Sequence, residues 1–307
     1  MLTLADIITP LSAGSQPTGS NAALSGVVLD SRKAATGALF VALRGEKVDG
    51  HQFVSSAFGN GAIAALVEEP IDGYATVDLR DPSAAIAALP TTPFCILVPD
   101  TVQAMQVAAT AWRNQFETRV IGSTGSVGKS STKELVASVL AQKYKTFKSP
   151  GNRNSILGLP PALFELRPFH ERAVLEMGMY VMGEIARLCE MAQPSVGVVT
   201  MIGPVHLERA GSMENIVKAK RELVESLPSS GTAVLNKDDA RVMSMRAYTS
   251  ANIFTYGLDK TADLWASNIR SRGLRGMRFP FHHAGDSYNV LVPLIGRHSV
   301  HTALRAA

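Results

Sequence analysis

The stretch Thr118–Lys133, TRVIGSTGSVGKSSTK, decides how the rest of the chain is read. Its spacing predicts a β-strand over Arg119–Ser123, a glycine-rich turn over Gly125–Gly128, and a helix opening at Lys129-Ser130-Ser131. Strand, glycine turn and a lysine-hydroxyl helix start, in that order, are the layout of a phosphate-binding loop. Gly125 and Gly128 let backbone N–H groups approach phosphate oxygens with no Cβ in the way. Lys129 can reach terminal phosphates as a point charge, and a hydroxyl at Ser130 or Ser131 can hold Mg²⁺ beside them. The general pattern G-x-x-x-x-G-K-[ST] is met imperfectly: its first glycine falls on Ser123, Gly122 lies one place early, and Gly125 sits inside the loop. A bare Gly-Lys-Ser also occurs in surface turns; the strand before it and the helix after it favour the phosphate reading. In that helix, periodicity puts Leu135, Val136, Val139 and Leu140 on one face.

The 307 residues suggest two domains. With 46% hydrophobic and 18% charged residues, the chain has enough apolar surface for a folded core and is not disordered. No apolar run reaches the ~18 residues a membrane helix needs, and MLTLADIITPLSAG lacks the basic and apolar regions of a signal peptide. Two distant cysteines, Cys95 and Cys189, give no disulfide framework, so a reducing cytoplasm is the expected location. The net charge of +4 suits anionic small molecules; no dense basic run points to nucleic acid.

The first 115 residues read as one unit, with short strands at Gly26–Asp30, Ala38–Ala42 and Ala62–Val67 and helices at Gln52–Gly59 and Val102–Arg113. Residues 70–95 are mixed, broken by Pro82, Pro90 and Pro93. From residue 116 onward apolar strands (Arg119–Ser123, Ala173–Glu176, Val196–Met201, Ala233–Asn236, Ile253–Tyr256) alternate with helices near 130–142, 183–192, 213–226 and 238–247. Alternation of this kind predicts an α/β fold with a mostly parallel sheet flanked by helices, and ligands in such sheets sit beyond the carboxyl ends of the strands.

Residues just past those ends are therefore the candidates. Glu176 ends a strand and is placed to ligate Mg²⁺; alone it would read as a surface glutamate. His206 follows another strand, where a lone histidine is more often structural. Lys218 and Lys220 on one helix read by default as a solvated face. Asn236-Lys237-Asp238-Asp239 reads as a turn with a helix N-cap, and Gly296-Arg297-His298-Ser299 precedes a final helical segment. His282-His283 read as loop residues. In the first unit, Asp30-Ser31-Arg32 is a turn in which arginine plus a hydroxyl could bind a diphosphate.

With these residues laid out, the chain resembles the Mur ligase family from about Gly26 to its end. The matching blocks, in order, are Gly26–Arg32, Leu39–Gly45, Asp49–His51, Thr124–Ser131, Gly151–Asn154, Glu176–Gly178 with Gly183–Ile185, His206–Glu208, Lys218–Lys220, Val234–Asn236 and Gly296–His298. Together they are far more specific than any one. The Gly-Asn-x-Asn and Glu-Met-Gly…Gly-Glu-Ile blocks resemble the D-alanyl-D-alanine-adding members. The resemblance implies a UDP-muramoyl-peptide-binding domain over 1–115 and an ATP-binding domain over 116–307. It also implies a monomer that uses ATP and Mg²⁺ to join UDP-N-acetylmuramoyl-tripeptide to D-alanyl-D-alanine through an acyl phosphate. Carried over by position, Gly125, Ser126, Val127, Gly128, Lys129, Ser130 and Ser131 would cradle ATP, and Asn236 and His298 would contact its adenine side. Ser130 and Glu176 would serve one Mg²⁺, and His206 would help hold a second. Lys220 would be the lysine that the family carboxylates with CO₂, reversing the default for that residue. Ser31 and Arg32 would lie near the UDP group, and Asn152 and Asn154 near the muramoyl-peptide.

The chain departs from the family pattern at Val127, usually polar, at Ser130 and Ser131, usually threonines, at Ser155-Ile156, and at Ser299 and Thr302, usually asparagines. Family members also carry a third domain for the incoming amine. Here Leu304–Ala307 fall inside an apparent helix with no glycine or proline stop, so the expectation is a truncated chain that binds nucleotide weakly and ligates little. Two other readings stay open: an amino-acid-adding member that acts one step earlier, and a non-catalytic nucleotide- or UDP-sugar-binding module.

Overall fold

The structure is a computed structural model that describes residues 1–12, 14, 16–83, 86–205 and 211–307. It resolves into two compact units, Met1–Phe116 with Leu157–Arg167, and Glu117–Ile156 with Pro168–Ala307. The segment Leu157–Arg167 is later in sequence but clusters with the first unit, where its short helix, Leu159–Leu163, is wholly buried.

The first unit is a five-stranded parallel sheet. Its strands are β1 (Gly26–Val28), β2 (Ala38–Val41), β3 (Ala64–Val67), β4 (Thr76–Asp78) and β5 (Phe94–Leu97), in the order β1-β2-β3-β5-β4. β2, β3 and β5 are buried at every position, as expected of apolar runs covered on both faces. β4 and β5 lie in the stretch 70–95 that the sequence leaves mixed. Helices α2 (Val54–Gly59) and α3 (Thr101–Arg113) pack on the sheet, and α1 (Leu4–Ile8) packs on α3; α3 starts where the Asp100 carboxylate accepts the Gln103 N–H at 2.8 Å.

The second unit is built on β6 (Arg119–Thr124), β7 (Thr146–Lys148), β8 (Arg172–Glu176), β9 (Val196–Val199), β10 (Thr232–Asn236), β11 (Asn252–Gly257) and β12 (Leu264–Ala266). Among the described residues these pair in parallel in the order β7-β8-β6-β9-β10-β11-β12. An antiparallel extension follows: β13 (Arg270–Ser271), β14 (Met277–His283) and β15 (Asp286–Val292). His282 and His283 are thus strand residues, not loop residues. His282 stacks on Trp265 at 3.9 Å between ring centroids, and His283 Nδ1 lies 2.9 Å from the Asp263 carbonyl. Pro280 obscured this strand in the sequence, because a proline within an apolar run argues against a paired strand.

Helices α4 (Lys129–Leu140), α6 (Glu184–Ala192), α7 (Met213–Glu225), α8 (Ala240–Met243) and α9 (His298–Leu304) complete the unit, α5 being the Leu159–Leu163 helix of the first. The buried face of α4 is Thr132, Lys133, Val136 and Ala137, while Val139 is exposed, so the expected stripe through Val139 is displaced by one position. α7 lies close on the sheet because Gly122 of β6 and Gly197 of β9 carry no side chains: a Cβ at Gly122 would stand 2.9 Å from Leu223 Cδ1, and one at Gly197 would stand 3.1 Å from Leu227 Cδ1.

Candidate nucleotide and metal site

β6 delivers the chain to Gly125 at the carboxyl edge of the sheet, and α4 leaves from Lys129. Gly125 (φ 143°) and Gly128 (φ 86°) adopt backbone conformations that L side chains rarely reach. Gly125 is also confined sterically: a Cβ there would come within 1.9 Å of Thr200 Oγ1. Thr200, just past β9, straps the loop down. Its hydroxyl donates to the Val127 carbonyl at 2.7 Å, while the Ser126 N–H donates to the Met201 carbonyl at 2.8 Å. Ser123, where the general pattern wants glycine, lies inside β6 and is fully buried; the turn begins after it, so its side chain does not enter the cradle.

Lys129 folds back over the loop, its Nζ donating to the Gly125 carbonyl at 2.9 Å. Burial lowers its pKa, and the negative charge of Glu176 opposes that shift. Glu176 closes β8, paired in register with Ser123, and is 2% exposed. Asn154 Nδ2 donates to its Oε1 at 2.7 Å; the other oxygen, Oε2, is buried and has no hydrogen-bond partner among the described residues. A bare buried carboxylate oxygen is costly, on the order of 1–3 kcal/mol or more, and a cation is what would satisfy it.

Lys220, from α7, completes this corner. A cavity of about 90 Å³ is lined by Gly125, Ser126, Lys129, Asn154, Tyr180 and Lys220 among others. Burial, with a smaller contribution from the charge of Lys129, pushes the Lys220 ammonium down to about 8. Lys218 is exposed, as the default reading held, but Lys220 is 4% exposed and not solvated. It shares a helix face with Ile216, Leu223 and Val224, and that face packs on the sheet.

A second cavity, of about 660 Å³, opens on the other flank of the loop and is lined by Val127, Gly128, Asn236, Asp238, His298 and Arg305 among others. Asn236 Nδ2 donates to the Thr200 carbonyl at 3.1 Å and Tyr256 OH donates to the same carbonyl at 3.0 Å, so Thr200 joins the base of this cavity to the phosphate loop. Asp239 caps α8 as the sequence suggested. His298 is the first residue of α9. Asp238, read from sequence only as part of a turn, stands 2.7 Å through Oδ2 from Nε2 of His301; Thr200 and His301 were not singled out from sequence. The only signal for Thr200 was a hydroxyl residue at the end of an apolar run.

Ser130 and Ser131 are exposed in the first turn of α4, where side chains are free to meet a ligand. Asn152 is exposed and Asn154 half-buried. His206 lies outside the described residues. Among the described residues no three His, Cys, Asp or Glu side chains gather as a metal cage. One bare carboxylate oxygen beside a phosphate loop still fits Mg²⁺, which takes one or two carboxylates and completes its shell with phosphate oxygens and water.

In the first unit, Ser31 and Arg32 follow β1 in a 3₁₀ turn and line a cavity of about 530 Å³ with Leu43, Gly45 and Phe53. Arg32 is exposed and bound through two nitrogens to Asp30, at 2.9 Å each; that side-chain bond holds the Asp30 carboxyl down to about 2.

Residues 124–307 match the Mur ligase middle domain, and residues 23–87 match the catalytic domain model of the Mur ligase family. The UDP-N-acetylmuramoyl-tripeptide–D-alanyl-D-alanine ligase of Synechocystis is 39% identical over 77% of this chain and 49% of its own length. The crystal structure of MurF from Acinetobacter baumannii superposes with a TM-score of 0.84 at 31% identity, covering all of this chain and 64% of that one. MurF from Thermotoga maritima, solved in complex with ADP, superposes at 0.77 with 28% identity over 92% of this chain and 61% of that one. The chain therefore spans about half to two thirds of the length of these relatives. On this sequence match and this shared fold, the chain belongs to the Mur ligase family.

Proposed function

We propose that this chain is the substrate- and ATP-binding portion of a ligase that joins D-alanyl-D-alanine to UDP-N-acetylmuramoyl-tripeptide, forming an amide bond of a peptidoglycan precursor in the cytoplasm. The observation that carries it is the bare Glu176 Oε2 near Lys129 at a glycine-lined loop, with Lys129 and Lys220 lining one small cavity. The Synechocystis relative, a UDP-N-acetylmuramoyl-tripeptide–D-alanyl-D-alanine ligase, and the ADP complex of the Thermotoga neighbour support the same reading.

ATP bound with Mg²⁺ supplies the activating phosphoryl group and neutralises charge as that group moves. The chain's own residues do the rest. Gly125 and Gly128 present backbone N–H groups at the start of α4, where the helix dipole favours an anion. Lys129 leaves the Gly125 carbonyl for the phosphates, exchanging a neutral acceptor for a charged one. Glu176 and Ser130 would hold the metal, with His206 serving a second ion. Asn236 and His298 would border the adenine, and Ser31, Arg32, Asn152 and Asn154 would hold the UDP-muramoyl-peptide. Lys220, pushed down to about 8, carries a neutral-amine fraction of about a tenth at pH 7, far above that of an ordinary lysine. That amine can add CO₂, forming a carbamate and releasing a proton, which converts a cation into a metal-binding anion. The protein would work as a monomer.

The test is binding and turnover with matched substrates. The 307-residue chain should bind ATP in a Mg²⁺-dependent way, read by calorimetry. The chain extended with the family's third domain should join D-alanyl-D-alanine to the tripeptide nucleotide, read by product mass. Turnover only with the dipeptide nucleotide and a free amino acid would assign it to the earlier step instead. Binding of both nucleotides without any turnover would leave a binding module.

A further inference from the structure

We infer that Lys133 is a positioning residue that ties the phosphate-loop helix to Glu176 and thereby sets the metal affinity of the site. This rests on the proposed role of Glu176 as the metal-holding carboxylate. Lys133 lies one turn beyond Lys129 on α4 and is 2% exposed. Its Nζ donates to the Ser149 carbonyl at 2.9 Å and the Gly151 carbonyl at 2.7 Å. The carboxylate nearest to it, Glu134 Oε1 at 3.4 Å, belongs to a half-exposed side chain that also pairs with Lys148. The buried charge is therefore held chiefly by two backbone carbonyls. Burying an ammonium is expensive, and an apolar side chain of that size is often as stable, so those two bonds mark what the lysine does.

Both carbonyls belong to a strap, residues 149–154, whose other contacts lead to Glu176. The Glu176 N–H donates to Ser149 Oγ at 3.3 Å. The Asn154 N–H donates to the Asn152 carbonyl at 2.8 Å, and the Asn154 carbonyl accepts from the Gly178 N–H at 2.7 Å. The Asn154 amide then holds Glu176 Oε1, leaving Oε2 bare among the described residues. Gly151 sits at φ 52°, a conformation glycine takes without steric cost, which lets the strap turn its carbonyl to Lys133. Lys129 and Glu176 are thus set relative to each other through Lys133 and the strap, from one helix face.

Lys133→Met in the 307-residue chain tests this. Mn²⁺ affinity, read by electron paramagnetic resonance in the presence of ADP, should fall about 10-fold, the lower end of what removing an outer support of a metal ligand costs. ADP affinity in excess EDTA should change by less than about 2-fold, since Lys129 and the loop are untouched. Asn154→Ala, at a half-buried position, should lower Mn²⁺ affinity by a similar factor and serves if Lys133→Met does not fold. Mn²⁺ affinity unchanged by either substitution, or metal-free ADP affinity falling in step with it, would overturn the inference. An unmodified chain that binds ADP but no Mn²⁺ would sink the reading of Glu176 as well.

Discussion

The two turns that end β1 and β6 share a vocabulary and differ in what surrounds it. Asp30-Ser31-Arg32 and Gly125–Ser131 each place a cation and a hydroxyl past a parallel strand. In the first, the cation is exposed and spends two of its three guanidinium nitrogens on the neighbouring Asp30. In the second, Lys129 holds a backbone carbonyl, and the nearby carboxylate is buried with one oxygen bare among the described residues. A solvated pair is close to balanced and gains little from a ligand. A desolvated, half-satisfied cluster is held in readiness for charge, because the ligand makes bonds that water cannot reach. On the proposed function, the second turn is where the chemistry is expected, and the first is at most a contact for the substrate.

The comparison breaks most readily at Gly125. Gly125→Ala would drive a Cβ into Thr200 Oγ1 at a left-handed φ; ATP affinity should fall more than about 100-fold, and stability by about 1–3 kcal/mol, measured by calorimetry and urea unfolding. Next comes Lys129→Met, which keeps the loop but removes its charge. ATP affinity should fall about 10- to 100-fold with little change in melting temperature; unchanged affinity would place the phosphates elsewhere.

A pH titration sharpens the contrast from the other side. Lys220 titrates near 8 when folded and at 10.5 when free. Below about 8 both states hold the proton and the folded state bears the full cost of the buried charge. As pH rises from about 8 towards 10.5 the folded chain has lost a proton that the unfolded chain still holds, so stability climbs, by up to ~3 kcal/mol. Lys220→Met should flatten that rise in CO₂-free buffer, read as the urea midpoint across pH 7 to 10. The smallest effect belongs to the first turn: Arg32→Ala should weaken binding of a UDP-sugar about 3- to 10-fold, an ordinary loss for one charged contact, and leave the melting temperature unmoved. A large drop in melting temperature would mean that the Asp30 pair is structural.

The glycine turn between β6 and α4 was legible because its information is local: two glycines, a lysine and an apolar strand within a dozen residues. The parallel sheet was legible for the same reason, each buried strand being a short apolar run. What escaped depends on the third dimension. Lys218 and Lys220 look alike in sequence, and only the face that α7 turns to β6 and β9 separates them. The antiparallel strands β14 and β15 alternate apolar and polar residues, as one-sided strands do, with Pro280 interrupting the pattern. Lys133 carried no mark at all, since a lysine four residues into a helix is usually solvated. Its significance appears only when Ser149 and Gly151 are brought to it.

The bare backbone at Gly122 and Gly197 has one more consequence. Those two hydrogens act as a spacer gauge: they fix the depth at which Leu223 and Leu227 seat, and so the height at which the amine three residues upstream hangs over the cradle. A methyl group added at either position, far from any ligand, would be read out as a change in reach at Lys220, so the reactive corner is calibrated from within the hydrophobic interior.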